Sequence, residues 1–69
     1  MNENQIVEIE LGIKSGVDVT MYAKKEFDWE QMREIRLGLE SGLDVSLYAR
    51  IEVNWDEMWA TRVIGLYRY

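Results

Sequence analysis

The chain has 69 residues, of which 13 are acidic and 8 basic, and it contains neither cysteine nor histidine. This composition excludes disulfides, zinc sites of the Cys/His type and Cys- or His-based nucleophilic machinery, and the lack of a basic stripe argues against binding to nucleic-acid phosphates. At this length a single core is only marginally stabilising, so we expect one domain that benefits from association.

The first predicted element is a helix over residues 3–15. Asn2 is a helix-capping residue, and Gln5, three positions later, can reach back to complete a capping box. Gly16 can adopt the left-handed conformation that ends a helix. Both ends of the helix are therefore marked in the sequence.

The next segment, residues 17–26, is compatible with two structures. Asp18 directly after Gly-Val can cap a short helix, whereas the alternation of apolar and polar residues also suits a strand. Residues 43–52 repeat the ambiguity around Asp44. We favour short helices in both segments, because a strand would need a partner strand from the other copy.

Two further helices are predicted over residues 29–41 and 55–67, because the sequence repeats itself every 26 residues. Ile9 to Glu34 aligns with Ile35 to Ala60 without a gap, with 12 identical positions. Such a period is typical of stacked repeats that bury their apolar faces against one another. The predicted fold is therefore a single all-α domain with units at about 2–27, 28–53 and 54–69. It has two helix/short-helix repeats and a terminal helix, arranged as a small bundle or mini-solenoid.

The third helix departs from the repeat. Ile64 stands where the earlier copies have glycine, and Trp59 stands where the middle copy has Arg33. One interpretation is that the first and third helices touch each other and make these residues core. The other is a surface patch for a homodimer or a protein partner, since interfaces favour Trp, Tyr and Met. The candidate partner-binding residues are Trp55, Trp59, Val63, Leu66, Tyr67 and Tyr69.

The acidic residues are predicted to cap helices and to complement the helix dipoles, and no catalytic, cofactor-binding or metal-binding residue is predicted. An alternative interpretation is an acidic face that stands in for nucleic-acid phosphates. That face would consist of Glu26, Asp28, Glu30, Glu34 and Glu40.

The string "FDWEQMREIRLGLESGLDVSLYA" resembles short tandem helical repeats of the type "QMxxIRxGLxxGLDVSxYA". These repeats occur in proteins of Gram-positive bacteria, their phages and their mobile elements, and have no established activity. The resemblance covers the chain from about Ile6 to Met58. The chain lacks the proline expected between copies, having Lys25 and Ile51 there, and "RVIGLYRY" replaces the expected third helix ending. The resemblance implies a helical repeat and an accessory role in a phage or mobile element.

These features predict a small acidic protein-binding factor, such as an inhibitor of a host protein. The alternatives are a structural module that oligomerises with itself, and an acidic nucleic-acid mimic that inhibits a host defence nuclease such as a CRISPR effector. The start of the chain, "MNENQIVEIE", lacks the pattern of a signal peptide. We therefore expect the cytoplasm of a bacterial host as the location, no membrane association and no direct binding to nucleic acid.

Overall fold

A computed structural model describes residues 1–67 of the chain and the side chains of residues 1–65. All regular elements of the described part are helices and none is a strand, which confirms the predicted all-α class and shows that the strand alternative was wrong. The two ambiguous segments each contain one turn of 3₁₀ helix. In chain order the elements are α1 (Glu3–Ser15), η1 (Val19–Met21), α2 (Trp29–Glu40), η2 (Val45–Leu47) and α3 (Trp55–Tyr67).

The predicted capping signals act at the starts of α1 and α2. Asn2 accepts the backbone N–H of Gln5 at 2.8 Å, and the Gln5 side chain accepts the backbone N–H of Asn2 at 2.8 Å. Asp28 and Gln31 repeat this reciprocal pair at α2. Each box satisfies two backbone donors that the first helical turn leaves free, so these residues define where the helices begin.

The helices run broadly parallel. The side-chain amide of Gln5, in the first turn of α1, donates to the carbonyl of Phe27 at 2.7 Å, directly before α2. Gln31 donates in the same way to Val53, directly before α3, at 2.7 Å. Because these bonds bring all three helix starts to one end, each connection must return the chain to that end.

The helices form a flat layer in which α2 lies between α1 and α3. Each outer helix packs against α2, and neither packs extensively against the other. Of the two interpretations of the third helix, the one in which it forms a core with the first helix is therefore wrong. The Cα atoms span 33 × 25 × 15 Å. The core lies between the helices and their connections, and its buried apolar residues are Tyr22, Phe27, Met32, Ile35, Val45, Tyr48 and Met58.

Candidate functional site: the open helical face

Each connection is fastened to the preceding helix by a tyrosine. The hydroxyl of Tyr48 donates to the buried backbone carbonyl of Glu34 at 2.8 Å, and the tyrosine ring end lies against Gly38, where a Cβ atom would collide with it. Tyr22 makes the same bond to the carbonyl of Glu8 at 2.6 Å. This contact holds both connections against the same side of the helix layer.

Neighbouring helices are joined by partly buried ion pairs. Arg36 of α2 donates to Glu8 of α1 at 3.0 Å, and Arg62 of α3 donates to Glu34 of α2 at 2.9 Å. Arg36 also donates to Glu40 at 2.9 Å, and this hydrogen bond lowers the pKa of Glu40. Burial alone would lower the pKa of Arg36, but its bonds to Glu40 and Glu8 outweigh that effect and raise it. These pairs hold the three helices in one register.

The opposite side of the layer is free of connections. In α1 the buried Gln5 and Gly12 lie on the connection side, as their contacts with the residue 24–28 turn and with Tyr22 show. With 3.6 residues per turn, Val7 and Leu11 lie on the other side of the same helix. Both are exposed. They therefore mark a surface made of helices alone.

The repeat places equivalent residues of all three helices on this surface, which we name the open face. Its exposed members are Val7, Leu11, Arg33 and Trp59, and its half-buried members are Leu37 and Val63. Five of these six residues are apolar and Arg33 is charged, while Lys14 and Glu40 lie on the same side two turns further along α1 and α2. Large apolar residues exposed on the same side of a small protein are typical of an interaction site.

The structure describes half of the predicted partner-binding residues. Trp55, Trp59 and Val63 are each four positions apart and form one row along α3. Trp59 is 49% exposed and Trp55 44% exposed, so neither indole belongs to the core. The predicted residues Leu66, Tyr67 and Tyr69 lie outside the described side chains.

The five acids predicted as a phosphate-mimicking face do not share one exposed surface. Glu34 is buried and its carboxylate is held by Arg62, while Glu40 is held by Arg36. Glu26 and Asp28 are exposed before α2, and Glu30 is half-buried. Glu8, which occupies the repeat position of Glu34, is also buried. Within the described residues, no group of acidic side chains is arranged to hold a metal ion, and no helix has the length and apolar character needed to cross a bilayer.

A small cavity lies beside α3, between that helix and η2. It has a volume of about 170 Å³, and its lining includes Leu43, Thr61 and Gly65. Gly65 occupies the repeat position of Leu39, which packs against the core in α2. The missing leucine side chain leaves the space open. A Cβ atom at Gly65 would lie 3.6 Å from the nearest atom of Leu43, which is an ordinary contact.

The buried tyrosines predict a loss of stability at alkaline pH. Burial raises the pKa of Tyr48 to about 12, and it also raises the pKa of Tyr22 above its ordinary value. An unfolded tyrosine loses its proton near pH 10. The stabilisation is therefore complete below pH 10 and is lost as the pH rises through 12. Urea unfolding across this range should show a loss of about 2–3 kcal/mol attributable to Tyr48.

Tyr48→Phe is the control for this pH dependence. It lacks the hydroxyl that titrates, so its stability should fall less steeply between pH 10 and 12, although it starts about 1 kcal/mol lower at pH 8 because the bond to Glu34 is lost. Equal slopes for the variant and the natural chain would show that Tyr48 does not carry the effect.

The sequence analysis found the departure of α3 from the repeat at Trp59, but it did not join that residue to Val7 and Leu11 of α1 in one surface. The alignment of the repeats contained the signal that could have revealed this surface. Positions 7, 33 and 59 correspond to one another, as do positions 11, 37 and 63. Equivalent positions of parallel, side-by-side helices must lie on the same side of the layer. The ion pairs were missed altogether, although their partners are separated by 28 residues in both cases.

No protein-family model, no curated protein and no solved structure matches this chain. The resemblance to tandem repeats of bacterial and phage proteins therefore stays a prediction.

Proposed function

We propose that this chain is a small acidic binding factor that contacts another protein through the open face. The observation that carries the proposal is the position of Trp59. Its indole is about half exposed on the side of the layer that no connection covers, in a row with Trp55 and Val63. Large aromatic residues in such positions dominate the energy of protein interfaces.

The polar groups of the chain support a binding role rather than a catalytic one. The carboxylates of Glu8 and Glu34 are engaged by arginines of the next helix, and the tyrosine hydroxyls are engaged by backbone carbonyls. These groups hold the fold together. Because the chain resembles repeats of phages and mobile elements, we propose that it acts as an accessory factor or inhibitor in the cytoplasm of a bacterial host.

The nucleic-acid mimic is the weaker candidate. It requires a row of free carboxylates spaced like phosphates. Glu34 is only 3% exposed and bound to Arg62, so it cannot contribute to such a row. The apolar character of the open face instead favours a partner whose contact surface is apolar at its centre.

Photo-crosslinking tests the proposal. A photoreactive phenylalanine derivative replaces Trp59 in one variant and Leu47 in a control variant. Leu47 is 70% exposed but lies in η2, on the connection side. Irradiation in a concentrated lysate of the producing cells should join a protein to position 59 and not to position 47. No product at position 59, or equal labelling at both positions, would contradict a binding role for the open face.

A further inference from the structure

The helices of this fold use one stripe of residues to pack against the preceding unit. Met58 of α3 is fully buried, although no element lies on the outer side of α3 in the described part of the chain. Its burial is therefore due to the unit before it. Met32, at the same repeat position of α2, is also fully buried and shares a core cluster with Tyr22 and Phe27 of the preceding connection. This repeat position thus faces the preceding unit.

In α1 the same stripe is exposed, and we name it the α1 edge. It consists of Ile6, Ile9, Glu10 and Ile13, the repeat counterparts of Met32, Ile35, Arg36 and Leu39 in α2. Ile6 is 46% exposed, Ile13 is 62% exposed and Ile9 is half-buried. With 3.6 residues per turn, the stripe points away from Glu8, which binds α2, and it is separate from the open face.

The interface between α1 and α2 shows what covers these positions when a unit precedes them. Met32 and Ile35 are fully buried against α1 and its connection. The tyrosine of that connection, Tyr22, lies against Gly12 of its own helix. One helix and its connection therefore form a groove together, and the stripe of the next helix fills it. Because the α1 edge has isoleucines at the same positions, a groove of the same kind fits it.

Charge specifies which unit fits the α1 edge. Arg36 donates to Glu8 at 3.0 Å and Arg62 donates to Glu34 at 2.9 Å, and in both pairs the glutamate comes 28 residues earlier, in the preceding helix. In α1 the position of these arginines is occupied by Glu10, which is exposed. A unit with the usual glutamate would place two carboxylates together in a partly buried contact, which is unfavourable. A unit with arginine or lysine there would restore the ion pair with its charges exchanged.

A second copy of this chain does not offer such a unit. Its grooves beside α1 and α2 are already filled by α2 and α3. In α3, Ala60 replaces the paired glutamate, and Ile64 replaces the glycine against which the tyrosine of a following connection packs. The third helix therefore provides neither a charge that complements Glu10 nor the space for a connection. The α1 edge requires a different protein.

From these observations we infer that the α1 edge binds another protein through a helix-and-connection unit of the same repeat type, with arginine or lysine where this chain has Glu8. The partner helix runs parallel to α1 and extends the layer by one unit. Its basic residue binds Glu10, and the three isoleucines become buried as their counterparts are in α2. The inference goes beyond the proposed function, because it concerns a second surface and does not depend on the open face.

A covalent extension tests the chemistry of the α1 edge. A copy of residues 28–53 replaces Met1, so that the copy directly precedes Asn2. Two forms are compared, one with the copied glutamate of position 34 kept and one with Glu34→Arg in the copy. The copied residue then precedes Glu10 by 28 residues, as in the natural ion pairs. The arginine form should unfold at a urea concentration about 1 M higher. Equal midpoints, or a more stable glutamate form, would overturn the inference.

Glu10→Arg is the matched control, since it reverses the charge of the α1 edge itself. In the extended chains it should reverse the order, so that the form with the copied glutamate becomes the more stable one. In the chain without the extension, where Glu10 is exposed, it should shift the urea midpoint by less than about 0.5 M. Docking of the added unit should also move the NMR signals of the Ile6 and Ile13 methyl groups. Unchanged signals in the arginine form would contradict the predicted contact.

Photo-crosslinking from Ile13 identifies the natural partner. A photoreactive phenylalanine derivative replaces Ile13 in one variant and Leu47, which is exposed on the connection side, in the control. In a lysate of the producing cells, position 13 should capture a protein whose sequence contains this repeat with arginine or lysine at the position of Glu8, and position 47 should not. Capture of a second copy, of a protein without the repeat, or of nothing would overturn the inference. None of these results affects the product at position 59, so the proposed function is tested separately.

Discussion

Gly38→Ala is expected to destabilise the fold by about 3 kcal/mol, although alanine is the better helix former. A Cβ atom at this position would collide with the hydroxyl of Tyr48 and would lie 2.8 Å from a methyl carbon of Val45. Val45 is buried and cannot move freely. Tyr48 would have to leave its place and give up its hydrogen bond to Glu34, which adds about 1 kcal/mol to the strain. Urea unfolding at neutral pH measures the loss.

Gly65→Ala is the matched control, since it makes the same substitution in another helix of the same fold. Its Cβ atom would enter the cavity beside Leu43 at ordinary contact distance. The helix gains up to about 1 kcal/mol from the better propensity of alanine, so this variant should be more stable than the natural chain. Opposite signs for the two variants would show that the tyrosine contact decides the outcome. A gain in stability from Gly38→Ala would contradict it.

The fold was largely predictable because its local signals agree with one another. Asn2 and Asp28 cap the helices at the expected positions, and Gly16 and Gly42 adopt positive φ angles of 80° and 77° after them. The side chain of Asp18 accepts the N–H of Thr20 and thereby starts η1. All of these interactions join residues that are close in sequence. Composition and spacing therefore contain the information needed to predict them.

The buried charges were not predictable in the same way. Glu34 looks like a surface residue because glutamate is rarely buried and because its neighbours on the helix include exposed charges. Its burial follows from Arg62, which approaches from the next helix. Such a contact depends on how the helices pack, and the helical period alone does not tell which side of a helix meets its neighbour.

The candidate site was predicted in part. The replacement of Arg33 by Trp59 in the third unit left a core and a surface interpretation open, and Trp59 is exposed in the structure. The open face continues from Trp59 across α2 to Leu11, but this could be recognised only by knowing that the helices run parallel in one layer. The bonds that establish this arrangement, from Gln5 and Gln31 to the starts of the next units, use side chains that also cap their own helices. The capping role alone explained both glutamines, so their second role remained hidden in the sequence.

Arg62→Met is expected to cost about 3 kcal/mol, since it removes the partner of a buried carboxylate. The guanidinium of Arg62 donates to Glu34 at 2.9 Å, and the side chain of that glutamate is 3% exposed. Without the arginine, the carboxyl group of Glu34 has no partner in a place that water scarcely reaches, which is more costly than the loss of an ordinary hydrogen bond. Chemical unfolding at neutral pH provides the measurement. Arg50→Met makes the same substitution at an exposed residue of a connection and should change the stability by less than about 0.5 kcal/mol.

A double variant separates the cost of an unpaired charge from the value of the pair itself. Glu34→Met combined with Arg62→Met replaces the pair by apolar side chains of similar volume, which proteins often tolerate without loss. The double variant should therefore recover most of the stability that Arg62→Met loses. If it were instead as unstable as the sum of the two single variants, the pair would have no coupling energy. The position of α3 beside α2 would then depend on apolar contacts such as those of Met58, and not on the ion pair.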